Sequence, residues 1–400
     1  MKILLYAHTF LPAIGGREIV MFQLARALIA RGHTVRVVGP RGSGTGRQTA
    51  DEIPVHRYPR LSTGRGLSDP LEQKILESQM GLQLAWDLTV NGADIIHSHV
   101  LYPAGFIGAK LGRILNKPNV MTPHGVDINV DRGSDYGMRL NPGLRQKINL
   151  ALASADAVTA ISEGVYAELL NTPVGAARIK KIPNGVDLER FAVAPPRHSV
   201  LEELGLTREA KIILTVGNYT PLKGHEDIVR AMPAILQQEP KAALVVVGAN
   251  TGGLRELAHQ LNVTKSVVLT GPIGMPTPSA TNHAADRLAE IYRNSVVYVS
   301  SSNREGAEGL SLSLLDAMAA SLPIVATNIV GNRDVVEAGK NGFLIEPGNA
   351  SQLEKAVVEI LSNGQLAETL GSAGLKKVQY YSWSSIAEQY ESVYEEALHG

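Results

Sequence analysis

The chain has 400 residues, of which 44% are hydrophobic, with 38 basic side chains, 38 acidic side chains and no cysteine. This hydrophobic content supplies packed cores and argues against global disorder, and the lack of cysteine excludes disulfides, thiolate nucleophiles and zinc ribbons. Nucleic-acid binders usually show a basic surplus, so the balanced charge predicts no nucleic-acid partner and leaves only a local basic patch open.

No uncharged apolar stretch reaches the ~18–20 residues that a membrane span requires. The run Met1–Ala7 is too short for the core of a signal peptide and is better explained as a buried first strand. We therefore expect a cytoplasmic protein, with peripheral contact to the inner face of a membrane left open.

Short apolar runs alternate with longer helical patterns along the whole chain. The first series of predicted strands comprises Ile3–Tyr6, Thr34–Val38, Ile95–His97, Val120–Thr122 and Ala157–Ala160. The second series comprises Ile212–Val216, Ala243–Val247, Ser266–Leu269, Val296–Val299 and Ile324–Ala326. Valine, isoleucine and leucine runs without polar alternation are typical of strands buried on both faces of a parallel sheet. With helical crossovers such as Val20–Arg31 and Ile228–Gln238, the pattern predicts α/β doubly wound sheets.

The series of strands and helices restarts after the stiff connection Pro195-Pro196-Arg197. We therefore predict two Rossmann-like lobes, residues 1–192 and 193–381, with a C-terminal helix over 382–400 that packs back on the first lobe. Ligands of open parallel sheets bind beyond the carboxyl ends of the strands, so two such sheets facing each other predict a cleft lined by the loops after strands.

The loop after the first strand ends in Gly15 and Gly16, and a helix is predicted from about Ile19. Paired glycines before a helix expose backbone N–H groups at the positive end of its dipole, which suits a phosphate. A tight turn without a ligand explains the two glycines equally well.

Three histidines also follow strands in the first lobe. His97 and His99 are two residues apart, so their side chains are predicted on the same side of the strand. Packing or hydrogen bonding is favoured over a metal site, because no third ligand has suitable spacing. A neutral His124 could bond a sugar hydroxyl or stabilise developing charge, and a purely structural role stays open.

In the second lobe, Lys223 lies on the loop after the first strand and could reach a diphosphate, although a solvent-exposed lysine is the alternative. A richer loop contains Glu308 and leads into a helix that begins near Ser311 and includes Asp316. The N–H groups of Gly309, Leu310 and Ser311 are expected to bind an anion. Glu308 could accept hydrogen bonds from sugar hydroxyls or pair with the helix dipole.

The order of these motifs resembles the retaining glycosyltransferases of family 4, which have the two-lobed GT-B fold. The resemblance covers nearly the whole chain and rests on the segments Gly15–Glu18, Leu24–Leu28, Arg31–Val35, His124-Gly125, Ile182–Asp187 with Phe191, Glu308–Ala319, Pro323–Thr327 and Asn341–Leu344. It implies transfer of a hexosyl group from a UDP- or GDP-sugar to an acceptor hydroxyl. The acceptor stays open between a saccharide, a lipid-linked saccharide and a small molecule.

The resemblance also implies roles for individual residues. His124 and Glu308 would be the catalytic pair at the transferred sugar. The donor would be bound by Gly15, Gly16, Asn218, Lys223, Gly271, Arg304, Gly309, Leu310, Ser311 and Asp316. Asp316 would contact the ribose and Gly271 the base. The family uses no metal, so no metal site and no cofactor are expected.

The chain departs from the family pattern at two of these positions. Asn218 stands where an arginine is usual, and we expect Arg304 or Arg17 to supply the missing charge. Asp316 stands where glutamate is usual and is one methylene shorter. The alternatives to a transferase are a sugar-nucleotide epimerase of the same fold and a two-lobed sugar-binding protein without catalysis.

Overall fold

Buried aliphatic runs form the strands of two separate sheets. The computed structural model describes residues 1–11, 15–40, 46–50, 53–58, 61–62, 64–133, 135–192, 197–273, 286–304 and 309–400. The chain divides into two compact units, Met1–Gly185 with Trp383–Gly400 and Val186–Ser382. Each unit contains a largely parallel α/β sheet, which confirms the predicted two-lobed fold class.

The first unit contains a sheet of eight described strands in the order β3-β4-β2-β1-β5-β6-β7-β8. The strands are β1 (Lys2–Tyr6), β2 (Thr34–Pro40), β3 (Gly46–Ala50), β4 (Ile53–Tyr58), β5 (Ile95–His99), β6 (Asn119–Thr122), β7 (Ala157–Ala160) and β8 (Ile179–Lys181). The helices between them are α1 (Gly16–Ala30), α2 (Pro70–Asn91), α3 (Phe106–Leu115), α4 (Pro142–Ser154) and α5 (Glu163–Leu170). The pair β3 and β4 is antiparallel, and the other paired neighbours are parallel.

The second unit contains a sheet of six described strands in the order β11-β10-β9-β12-β13-β14, and every pair in it is parallel. The strands are β9 (Lys211–Val216), β10 (Ala242–Val247), β11 (Val267–Gly271), β12 (Val297–Ser300), β13 (Ile324–Thr327) and β14 (Gly342–Ile345). The helices are α6 (Arg197–Glu203), α7 (His225–Gln238), α8 (Gly252–Gln260), α9 (Arg287–Asn294), α10 (Leu312–Ala319), α11 (Val330–Arg333), α12 (Ala350–Ser362) and α13 (Gly364–Val378).

The packing of strand β9 between helices on both faces of the sheet explains why its sequence has no polar alternation. Ile212 and Leu214 belong to one apolar cluster with Leu314 of α10, and Ile213 belongs to the opposite cluster with Ile228 of α7. Successive side chains of a strand point to opposite faces, so helices on both faces require apolar residues at every position. Burying each such side chain stabilises the fold by roughly 1.5–3 kcal/mol.

The last helix, α14 (Trp383–His399), belongs to the first unit. Ile386, Tyr390 and Tyr394 are buried, whereas Leu398, which shares their helical spacing, is 38% exposed. Helix α14 is also held by a charged contact, because the Glu391 carboxylate accepts a hydrogen bond from Arg31 at 2.6 Å. Across the described residues, no helix combines the length and the apolar character needed to cross a membrane.

Candidate functional site

The paired glycines lie at the very start of α1. Gly15 is the extended N-cap and Gly16 the first helical residue, so the helix begins earlier than the predicted Ile19. The polar pair Arg17-Glu18 obscures the apolar period there, although an acidic residue in the first turn favours a helix start. A Cβ on Gly15 would lie 2.7 Å from Oε2 of Glu18. Gly15 therefore leaves room for a carboxylate that is hydrogen-bonded to Arg17 and Thr9.

The three histidines form a connected cluster in the first unit. The rings of His97 and His99 are 4.2 Å apart between centroids, which confirms that they share one side of β5. His97 bonds the hydroxyls of Tyr394 at 2.8 Å and Thr122 at 2.7 Å. His99 Nδ1 lies 3.0 Å from Nε2 of His124. The cluster therefore joins α14 to β5 and to the loop that follows β6.

These histidines stay neutral at physiological pH. Burial lowers the pKa of His97 to about 3. Burial, aided by the positive charge of Arg17, lowers the pKa of His124 to about 3. Burial, aided by the neighbouring His97 and His124, lowers the pKa of His99 well below its ordinary value. Neutral imidazoles offer one N–H donor and one lone pair each, which suits hydrogen bonding. Among the described residues, no group of three or more histidine or acidic side chains is arranged to hold a metal ion.

In the second unit, hydrogen bonds to backbone carbonyls join the loop after β9 to the loop after β12. Lys223 ends a short 3-10 turn, and its carbonyl accepts from the Ser301 hydroxyl at 3.0 Å. Asn303 N–H donates to the carbonyl of Leu222 at 3.0 Å. Gly224 has φ +60°, and a Cβ there would lie 2.1 Å from the Ser301 carbonyl oxygen. The glycine is required for this close approach, which places the Lys223 loop against the loop that leads to Arg304.

Asn218, the residue found where an arginine is usual, is used in a loop contact. Its Oδ1 accepts from the backbone N–H of Ala249 at 2.9 Å, which ties the loop after β9 to the loop after β10. The neighbouring Gly248 donates its N–H to the carbonyl of Gly271 at the end of β11. Gly271 has φ +74°, a conformation that favours glycine. The loops after β9, β10 and β11 are therefore connected to one another at the carboxyl end of the sheet.

Helix α10 begins as predicted, with Ser311 at the N-cap and Leu312 as the first helical residue. The Ser311 side chain makes no capping bond and instead lies 3.0 Å from the Ser313 hydroxyl. Gly309 and Leu310 directly precede the cap. Arg304, in the loop after β12, is exposed. Glu308 lies outside the described residues.

Asp316 lies on α10 beside a buried arginine. Arg190 donates to Asp286 at 2.6 and 3.3 Å, and its Nη1 lies 3.5 Å from Oδ2 of Asp316. Burial raises the pKa of Asp316 to about 6, and the charge of Arg190 opposes that rise. Burial alone would lower the pKa of Arg190, but Asp316 and Asp286 outweigh it and raise the value. The shortened acid is thus held by a fixed cation.

Sequence reasoning missed three of these residues. Asp127, three positions after His124, accepts the His124 backbone N–H at 2.9 Å. Aspartates commonly bond nearby backbone in this way, so the spacing was a usable signal. Arg190 stands directly before Phe191, but it lies in the charged run Asp187-Leu188-Glu189-Arg190, so its charge does not mark it as a buried residue. Asp286 is 96 positions from Arg190, and no local pattern points to it.

Comparisons with known proteins agree with this architecture. Residues 14–190 match the family model described as Glycosyltransferase Family 4, and residues 200–377 match the model described as Glycosyl transferases group 1. The chain is 25% identical over 401 residues to the GDP-mannose-dependent alpha-(1-6)-phosphatidylinositol monomannoside mannosyltransferase of Mycobacterium tuberculosis, with 96% of each chain covered.

Two solved structures show the same fold. Sucrose-phosphate synthase from Thermosynechococcus elongatus matches with a TM-score of 0.80 and 23% identity over 98% of each chain. Anabaena Alr3699/HepE, solved in complex with UDP-glucose, matches with a TM-score of 0.77 and 20% identity over 98% of each chain. The ordered motifs, the two largely parallel sheets and the matches to both halves of the chain lead to one conclusion. The chain belongs to glycosyltransferase family 4 and has the GT-B fold.

Proposed function

We propose that this glycosyltransferase moves a hexosyl group from a UDP- or GDP-sugar to an acceptor hydroxyl, with retention of configuration and without a metal ion. The observation that carries the proposal is the joined pair of loops in the second unit. Hydrogen bonds from Ser301 and Asn303 fix the backbone around Lys223. The loop that contains Ser301 and Asn303 leads on along the chain to the start of α10. A fixed lysine loop and a helix N-terminus are the features that a diphosphate requires.

The leaving diphosphate is stabilised by groups of this chain. Lys223 supplies a cation, and the backbone at Gly309, Leu310 and Ser311 supplies N–H donors at the positive end of α10. Gly15 and Gly16, at the start of α1, also contribute to donor binding. Donors placed in advance lower the energy of the charge that develops as the sugar leaves, so no metal is needed for this step.

Other residues bind the remaining parts of the donor. Asp316, oriented by Arg190, accepts from the ribose hydroxyls, and Gly271 lies at the base. Glu308 binds the donor sugar, and His124 acts at the reacting sugar. Arg304 or Arg17 supplies the charge that Asn218 lacks. The mannosyltransferase relative is named for GDP-mannose and HepE was solved with UDP-glucose, which supports either base.

Retention follows from attack on the same face that the phosphate leaves. The bond between the anomeric carbon and the phosphate oxygen breaks, and the acceptor oxygen bonds to that carbon. The acceptor proton passes to the departing phosphate. Glu308 remains a contact of the donor sugar and forms no covalent adduct. The acceptor is a saccharide, a lipid-linked saccharide or a small molecule.

A panel of donors tests the proposal. UDP, GDP and ADP are added with their matching sugars, and the melting temperature is followed, because a ligand that binds only the folded state stabilises it by mass action. We expect a UDP- or GDP-sugar to give the largest shift. NMR of the product should then show the donor's anomeric configuration, and EDTA should leave the rate unchanged. A covalent adduct trapped on Glu308 would refute direct attack by the acceptor. An inverted product would refute retention, and loss of activity in EDTA would refute metal independence. A change of sugar configuration without acceptor would indicate an epimerase.

A further inference from the structure

His99 and His124 meet because their strands are neighbours. Strands β5 and β6 are parallel, and His99 at the end of β5 is paired with Thr122 at the end of β6. His124 follows two residues later. The two rings are inclined by only 22°, and His99 Nδ1 lies 3.0 Å from His124 Nε2. The ring centroids are 5.2 Å apart, a separation that suits two rings joined end to end through their nitrogens, so the contact is a hydrogen bond between two imidazoles.

The surrounding backbone fixes this pair. Buried Asp127 accepts from the N–H of His124 at 2.9 Å through Oδ1 and from the N–H of Leu101 at 2.8 Å through Oδ2. One carboxylate thus holds both loops. Val100, directly after His99, has φ +78°, which is an outlier for a β-branched residue. Strain of this kind persists where the surroundings fix the backbone, and it is concentrated at functional sites.

A neutral pair can share its proton in two ways. If His124 donates through Nε2, His99 must carry its own proton on Nε2. If His99 donates through Nδ1, its Nε2 is a bare lone pair. His99 Nε2 is buried and has no hydrogen-bond partner among the described residues. A buried N–H without a partner is rarer in proteins than an acceptor left unsatisfied. The arrangement with His99 as donor is therefore favoured.

We propose that His99 is a positioning residue that fixes the tautomer of His124. His99 Nδ1–H donates to His124 Nε2, so the proton of His124 resides on Nδ1. That Nδ1 makes no hydrogen bond within the described part of the chain, and His124 is partly exposed. With its one lone pair occupied, His124 acts as a hydrogen-bond donor to the sugar and not as a general base. This role rests on the proposed contact of His124 with the sugar.

The tautomer can be read without any substrate. Long-range ¹H–¹⁵N NMR of protein labelled with ¹⁵N-histidine distinguishes a protonated from a bare ring nitrogen, and a His124→Asn variant identifies the His124 signals. We expect His99 and His124 both to be protonated on Nδ1 and bare on Nε2. A His124 ring protonated on Nε2 would overturn the proposal. The wild-type spectrum decides this point even if a variant fails to fold.

Two substitutions test whether His99 acts through that bond. His99→Asn keeps an amide N–H near the position of Nδ1, whereas His99→Leu removes the donor. We expect His99→Leu to release His124 to the Nε2–H form and to lower kcat by about tenfold or more, with the donor KM changed less. His99→Asn should keep the Nδ1–H form and most of kcat.

The outcomes separate the two levels of the argument. If the NMR result holds but His99→Leu turns over like the wild type, the sugar contact of His124 is wrong and the tautomer assignment stands. If His99→Asn loses as much kcat as His99→Leu while His124 keeps Nδ1–H, the hydrogen bond is not what His99 contributes and the positioning role is refuted.

Discussion

Arg190 and Asp316 face each other across 3.5 Å between Nη1 and Oδ2, and Arg190 is also paired with Asp286 at 2.6 Å. The Arg190 side chain is 8% exposed and that of Asp286 is 0% exposed. A guanidinium that pairs with two carboxylates fixes the orientation of both. In the proposed function Asp316 contacts the ribose with a side chain one methylene shorter than the usual glutamate, so its carboxylate must be held in a defined position. Arg190 supplies that position.

Replacing Arg190 should therefore destabilise the second unit strongly. Arg190→Met leaves Asp286 as a buried charge without its cation, which costs about 3–5 kcal/mol of unfolding free energy. Arg255 on α8 is exposed, so Arg255→Met should stay within about 0.5 kcal/mol. Urea denaturation of both variants measures the difference. Equal stabilities would show that the Arg190 network is not a structural anchor.

Gly224 should tolerate no side chain. Gly224→Ala places a Cβ 2.1 Å from the Ser301 carbonyl oxygen at φ +60°, so the Lys223 loop must shift. We expect a loss of about 3 kcal/mol in unfolding free energy and weaker donor binding. The matched control is Gly253→Ala in α8, where a Cβ meets nothing within 4 Å. That change should stabilise the helix by about 0.5–1 kcal/mol. The account of the joined loops fails if Gly224→Ala binds the donor normally.

Acid should destabilise the protein through its buried histidines. The pKa of folded His97 is about 3 against an ordinary 6.5, so the unfolded chain binds a proton that the folded chain refuses. Stability is then fully present above pH 6.5 and is lost as the pH falls toward 3. Between pH 7 and pH 5 the loss from His97 is about 2 kcal/mol.

Substitution isolates this contribution. His97→Gln removes the titration, so its unfolding free energy should fall less than that of the wild type between these two pH values. His399 is exposed at the end of α14, and His399→Gln should follow the wild type. Denaturation curves at both pH values provide the comparison. A His97→Gln variant as acid-sensitive as the wild type would contradict the assignment.

We expect Arg304 or Arg17 to supply the positive charge that is missing at Asn218. Asn218 binds Ala249 and brings no cation, so Arg304→Ala or Arg17→Ala should raise the donor Kd by about tenfold, as loss of a charge-assisted hydrogen bond does. Arg208→Ala, at another exposed arginine of the second unit, serves as the control. Calorimetry with UDP- or GDP-sugar measures each Kd. If neither Arg304→Ala nor Arg17→Ala weakens binding, the compensation hypothesis is wrong.

The sequence predicts most of the fold because buried parallel strands have a strong local signature. It does not indicate β3, β4, β8 or β14, because these lie toward the edges of their sheets, where burial imposes less pattern. It places His97 and His99 on one side through the two-residue period of a strand. It cannot pair Arg190 with Asp286 or His99 with His124, because those contacts depend on which strands and loops become neighbours.

The central claim is that the second unit holds a nucleoside diphosphate through the Lys223 loop. The most direct measurement is the melting temperature of the wild type, Lys223→Ala and the exposed-site control Lys265→Ala with saturating UDP or GDP. The account predicts a clear rise with one of these ligands in the wild type and in Lys265→Ala, and a much smaller rise in Lys223→Ala. An equal rise in all three proteins, or none in the wild type with either ligand, would contradict it.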